Sequence, residues 1–244
     1  MKVFLIGQTK VDLFPPTGDS RHVMPGKAGG SAFEKRVRKG AGYLKQFGQD
    51  LIEFAGRLCY ESWDLPNPET ATQAGYIKNI LDHEHFSILE HVSVTFYIEG
   101  VSRNLTHELI RHRHLSFSEL SQRFVNMEDA NTINPPAFRR LGLPVSQPLT
   151  EKHRDKYRMN VETLRALGLN RKQAREASRA GLPSGMETKL VVSGNLRTWL
   201  ELLPKRLSPH ADAEIQEFAR KVTDILKKEY PDVFAGLTYE ENDG

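Results

Sequence analysis

Arg111-His112-Arg113-His114-Leu115-Ser116-Phe117-Ser118-Glu119-Leu120-Ser121-Gln122-Arg123 gathers three guanidinium groups, two imidazoles, one carboxylate and three hydroxyls into thirteen residues. A solvated helix face can be this polar, yet it is seldom this poor in Lys and this rich in groups that grip oxyanions with fixed geometry. The stretch reads as an anion-binding element. Immediately upstream, Val92, Val94, Phe96 and Ile98 alternate with Ser93, Thr95 and Tyr97, the period of a half-buried strand, which Gly100 is expected to end. From Ser102 to His112 the residues Leu105, Leu109 and His112 recur at spacings of four and three, so the polar stretch starts at a helix end and runs into a loop or short strand.

Farther out, Lys2 to Ile6 predicts an initial strand. Residues 15–42 are rich in Gly, Pro, Lys and Arg without helical or strand period, and read as a surface insertion. Asp50 is placed to cap a helix from Leu51 to Tyr60, and a second helix is expected over Ala71 to Leu81. Asn134 to Pro148 holds four prolines and reads as an irregular connection. Helices follow at Thr150 to Leu167 and Arg171 to Gly181, stopped by Pro183. A core strand over Met186 to Ser193, a helix from Asn195 to Leu207, and a last long helix through Ile215, Phe218, Val222, Ile225 and Leu226, ended by Pro231, complete the pattern. Few strands among many helices predict one α+β (mixed α/β) domain over residues 1–244.

A net charge of +3 and 39% hydrophobic residues in 244 suit a soluble core with a modest preference for anionic ligands, short of the strongly basic balance of a phosphate-backbone binder. The single cysteine, Cys59, leaves no intrachain disulfide and no Cys-based zinc site, and points to a reducing cytoplasm. It lies within the apolar pattern Ile52, Phe54, Ala55, Leu58 and reads as a small buried helix residue rather than a nucleophile. Met1 to Gly7 is too short for a secretion signal core or a membrane span.

Nine histidines raise the question of a metal. In His107-Glu108-Leu109-Ile110-Arg111-His112 the second ligand of a zincin pair should stand four residues after the first, where Arg111 lies instead, so no metal is expected. Ser116, Ser118 and Ser121 have no Gly-x-Ser-x-Gly elbow around them. Phe117 and Phe124 flank the arginines, which keeps a basic single-stranded nucleic-acid-binding protein as the alternative reading. No Gly-x-Gly-x-x-Gly turn or Walker loop is present, so any bound dinucleotide must have its diphosphate held by Arg side chains.

The spacing Arg-His-Arg, two residues, Ser, four residues, Ser, one residue, Arg closely resembles the motif of the flavin-dependent thymidylate synthases, and the resemblance runs from about Leu51 to about Tyr230. It implies a central, mostly antiparallel sheet flanked by helices, the fold of the thymidylate synthase-complementing proteins. It implies FAD bound by Arg111, His112 and Arg113, with His85 and Ser87 of the upstream His-x-Ser segment near the flavin and its phosphates, and Glu119 shared between flavin and nucleotide. Gly194-Asn195-Leu196-Arg197 resembles the family's Asn-x-Arg element near FAD; Glu201 is carried over with it, although family members commonly have Asn or His there. For dUMP the pattern maps onto Glu108, Leu109, Ile110 and Arg111 on one side and Glu119, Leu120, Ser121, Gln122 and Arg123 on the other, with Arg179 completing a phosphate clamp. Arg206 matches the arginine set against the uracil and, with Ser121, is the candidate catalytic residue; a fixed guanidinium there stabilises negative charge on the pyrimidine imide. The implied reaction is reductive methylation of dUMP to dTMP with 5,10-methylenetetrahydrofolate and NADPH, in a homotetramer whose FAD sites are shared between subunits, without nucleic acid or membrane as partner.

Overall fold

A computed structural model describes residues 1–11, 32, 35, 47–65, 67–144 and 147–239. The expected insertion at 15–42 lies, apart from residues 32 and 35, outside the described residues. Four strands, β1 (Lys2–Gln8), β2 (Ser93–Ser102), β3 (Ser116–Glu119) and β4 (Glu187–Asn195), form one sheet in the order β1-β2-β4-β3. Each pairing is antiparallel, as expected. Helices α1 (Phe47–Tyr60), α2 (Gln73–Asp82), α3 (Arg103–Leu109), α4 (Pro136–Arg140), α5 (Gln147–Ala166), α6 (Arg171–Ser178), α7 (Leu196–Leu207), α8 (Ala213–Glu229) and α9 (Pro231–Phe234) surround it.

The sheet buries one face. Val94, Phe96 and Ile98 of β2 point with Leu190 and Val192 of β4 into a core closed by Trp199, Leu202 and Leu203 of α7 and Ile215, Phe218 and Val222 of α8. Phe96 meets Trp199 edge to face at 5.1 Å. The opposite face carries Phe4 and Ile6, both exposed, with Tyr97, Thr95, Ser193, Ser116 and Ser118 beside them. A second, smaller cluster of Met127, Tyr157, Val161, Ala174 and Met186 seats α5 and α6 beside the end of β4.

Several boundaries differ from the sequence reading. The helix expected from Leu51 starts at Phe47, and Asp50 lies in its first turn, where its carboxylate accepts from Gln73 Nε2 at 2.6 Å instead of capping. Gly100 does not end β2: at φ +69° it forms a bulge between Glu99 and Val101, after which pairing with β4 resumes to Ser102. Helix α3 is shorter than expected, and the Arg-rich stretch begins in the turn after it. The Asn134 to Pro148 connection contains α4. Cys59 is exposed, not buried. The inward face of α1 is Ile52, Glu53, Gly56 and Arg57, so Leu58 and Cys59 turn outward. That face holds an ion pair: Arg57 Nε donates to Glu53 Oε1 at 2.7 Å with both side chains essentially buried, and the guanidinium stacks on the Tyr76 ring.

Candidate active site

The site grows from the end of β2. Ser102 caps α3, its hydroxyl accepting from Leu105 N at 3.2 Å and donating to Glu214 Oε2 at 2.5 Å; Glu214 Oε1 accepts from Ser102 N at 2.8 Å. A buried carboxylate on α8 thus fixes the start of the helix that carries Arg103 and Glu108. The chain then turns, with Arg111 N on Glu108 O and Leu115 N on His112 O, and enters β3 beside β4. Leu115 is buried against Gly194, where an added Cβ would stand 2.4 Å from its side chain, so a larger residue there would have to displace Leu115.

Arg206, in the last turn of α7, is held at three nitrogens. Its Nη1 donates to Glu108 Oε2 at 2.8 Å, Nη2 to Glu108 O at 3.2 Å and Nε to His112 Nε2 at 2.9 Å. Burial first, then the Arg206 and Lys205 charges, push the His112 imidazole down to about 4. It is therefore neutral near pH 7, with its proton on Nδ1 because Nε2 accepts. Glu119 is held from α3: Thr106 Oγ1 donates to Oε1 at 3.2 Å, and Arg103 Nη2 to Oε2 at 3.4 Å.

Two clefts open on this framework. One, of about 720 Å³, is lined by Arg103, Thr106, Glu108, Ile110, Glu119 and Gln122, together with Leu182 to Ser184 and Asp212. The other, of about 240 Å³, is lined by Arg111, His112, Arg113 and His114 facing Thr198, Glu201, Leu202 and Lys205. The first brings together Glu108, Ile110, Glu119 and Gln122 of the expected nucleotide set; the second brings Arg111, His112 and Arg113 of the expected flavin set to Glu201. Among the described residues neither Arg111 nor Arg113 has a carboxylate partner. Two guanidiniums and Lys205 around a volume of this size fit a diphosphate but not a whole dinucleotide.

Other expected residues lie elsewhere. Leu109 and Leu196 are in the core, so only their backbone atoms can meet a ligand. Asn195 caps α7, its Oδ1 accepting from Thr198 N and Oγ1, both at 2.8 Å. Arg197 is clamped by Glu90 at 2.6 Å and Glu201 at 2.8 Å, and the two carboxylates raise its pKa further. His85 and Ser87 are exposed around the short 3-10 segment Phe86–His91 that also carries Glu90. Ser121 Oγ accepts from Arg123 N at 3.4 Å. Its turn docks on α6, where Arg175 Nη1 donates to Phe124 O at 2.5 Å and Arg123 lies 3.9 Å from Glu176. Arg179 is exposed one turn beyond Arg175. Leu120 contributes its carbonyl, which accepts from Arg103 Nη1 at 3.4 Å. Phe117 is partly buried and packs against the core, whereas Phe124 is exposed.

Sequence reasoning missed Arg103, Lys205, Thr198 and Glu214. Arg103 was signalled only as one more cation upstream of Arg111 and Arg113, and Glu214 by nothing local, since its partner is 112 positions away.

Comparison with known proteins bears on the same residues. The profile of the family described as "Thymidylate synthase complementing protein" matches residues 44–232. The flavin-dependent thymidylate synthase of Mycobacterium avium is 48% identical over 202 residues, spanning 77% of this chain and 79% of that protein. The enzyme of the same name from Mycobacterium tuberculosis (strain ATCC 25177 / H37Ra) is 47% identical over 198 residues with the same coverage. Among solved structures, thymidylate synthase X of Helicobacter pylori, crystallised with FAD and dUMP, superposes with a TM-score of 0.55 at 27% identity, over 76% of this chain and 92% of that one. The profile match spans β2, β3 and β4, both clefts and the arginines between them, and by it the chain belongs to the thymidylate synthase complementing protein family.

Proposed function

We propose that this chain is an FAD-dependent thymidylate synthase that converts dUMP to dTMP, with 5,10-methylenetetrahydrofolate as carbon donor and NADPH as reductant. The observation that carries the reading is Arg206, a half-buried guanidinium fixed at three nitrogens beside the Arg111 to Arg123 motif. Facing a uracil, it stabilises negative charge on the imide and favours the electron shift toward C5. Glu108 and Ile110, with the backbone of Leu109, border the base; Ser121 and Arg123, with the backbone of Leu120 and Gln122, hold sugar and phosphate; Arg179 closes the phosphate clamp. Arg111 and Arg113 hold the FAD diphosphate, and His85, Ser87, Glu119, Asn195, Leu196, Arg197 and Glu201 border the rest of the cofactor. When bound, FAD supplies the hydride chemistry, which is why the protein needs no activated nucleophile of its own.

The second cleft is too small for the entire cofactor, and the outer sheet face leaves Phe4 and Ile6 exposed. Both favour a homotetramer in which subunits share the FAD sites. We read residues 1–244 as one domain. No helix among the described residues is long and apolar enough to cross a membrane, and the lone thiol suits the cytoplasm. The test is tritium release from dUMP labelled at C5, with FAD, NADPH and methylenetetrahydrofolate. Release that needs folate and flavin and yields dTMP is expected; none from a folded, flavin-loaded protein overturns the reading.

A further inference from the structure

His112 lines the same cleft as Arg111 and Arg113, yet its Nε2 is taken up by Arg206, accepting from Nε at 2.9 Å. Glu108 takes two nitrogens of the Arg206 guanidinium and His112 takes the third, each through one N–H. Two of the five N–H groups then remain for a ligand. A guanidinium held at three points loses little freedom when a ligand arrives, which favours binding. The two holders differ in kind. Glu108 balances the charge of Arg206, whereas a second carboxylate in place of His112 would cancel the positive potential offered to the ligand. A neutral ring acceptor fixes the plane of the guanidinium and leaves its charge intact.

We propose that His112 is a positioning residue that acts on the nucleotide through Arg206 and is not a flavin ligand through Nε2. The Arg-His-Arg segment then works in two directions, with Arg111 and Arg113 toward the flavin diphosphate and His112 toward the pyrimidine arginine. The proposal rests on the reading that Arg206 faces the uracil. The low basicity of the ring supports it, because only the unprotonated Nε2 can accept from Arg206. The charged groups around the ring are Arg206, Lys205 and Glu201 on α7, Glu108 paired with Arg206, and Arg111, Arg113 and His114 in its own turn.

The experiment titrates dUMP into the FAD-loaded protein by calorimetry and measures FAD affinity separately by flavin fluorescence. The variants are His112→Leu, His112→Gln, Arg206→Ala and the Leu/Ala double. The Gln amide oxygen reaches to about the position of Nε2 and accepts as it does. His112→Leu is expected to weaken dUMP roughly 10- to 100-fold, the range for a hydrogen bond to a charged group, with FAD affinity unchanged. His112→Gln restores most of the affinity, and in the Arg206→Ala background the Leu change adds less than about twofold. If His112→Leu fails to fold, His112→Asn, polar but too short to reach Arg206, takes its place with the same expectation. Lost FAD affinity with dUMP binding intact, or an undiminished His112→Leu effect without Arg206, overturns the proposal. Unchanged dUMP binding in Arg206→Ala alone overturns the reading beneath it, and the two failures are thereby told apart.

Discussion

Replacing Glu214 with Ala removes the two hydrogen bonds that anchor the start of α3, at 2.8 Å to Ser102 N and 2.5 Å to Ser102 Oγ. Glu214 is only 7% exposed and Ser102 2%, so water does not readily replace the carboxylate. Each charge-assisted bond is worth about 1.5–3 kcal/mol, and the two share one carboxylate and one residue, so a combined loss of about 3–5 kcal/mol is expected. For a chain of this size that corresponds to a fall in Tm of roughly 6–20 °C. Glu214→Gln keeps one acceptor for Ser102 N and should lose only about 1–2 kcal/mol. Denaturant unfolding of the flavin-loaded protein, with dUMP affinity measured well below the transition, separates two effects. Stability falls first, and dUMP weakens too, because Arg103 and Glu108 ride on the helix that Ser102 caps. A loss under about 1 kcal/mol for Glu214→Ala would refute the argument that this carboxylate organises the site.

Arg123→Ala should weaken dUMP about 10- to 100-fold by calorimetry with FAD retained, the value of one hydrogen-bonded charge on a phosphate. Ser121→Ala is expected to leave reduced but measurable dTMP formation; complete loss with FAD and dUMP still bound would point to a nucleophilic serine. Cys59→Ser should match the parent in turnover, since an exposed thiol donating weakly to Ala55 O at 3.5 Å takes no part in either cleft. His112 titrates near 4 in the folded chain against an ordinary 6.5, so between those values the unfolded chain binds more protons and stability rises with pH. Comparing denaturant midpoints at pH 7 and pH 5, His112→Leu should show a smaller acid loss than the parent.

The strongest sequence signals were those with a fixed period or spacing. The alternation of Val92 to Ile98 and the helical repeat of Ile215 to Leu226 fall on β2 and α8, because both patterns follow directly from which side chains reach the core. Gly100 misled because a glycine that breaks a strand and one that bulges it look alike until the partner strand is seen to continue. Cys59 misled for another reason: the inward face of α1 carries the Glu53 and Arg57 pair, and a hydrophobic pattern treats charged residues as facing water. In the site, the motif spacing marks the turn between α3 and β3 that carries Arg111 and Arg113. The partners that hold Glu119 and Arg206, namely Arg103, Thr106, Glu108 and His112, are set by how α3 meets β3 and α7, which no local pattern encodes.

The clamp on Arg197 has a consequence for how ions compete at the surface. Glu90 and Glu201 already occupy the guanidinium, so an arriving phosphate exchanges one anion for another and does not fill an empty site. Such an exchange keeps the number of close ion pairs nearly constant. Added salt screens the pair that breaks as much as the pair that forms, so this arginine should add little to the ionic-strength dependence of ligand binding. Arg111, Arg113 and Arg179, which give up no internal carboxylate among the described residues, should each carry more of it than Arg197 does.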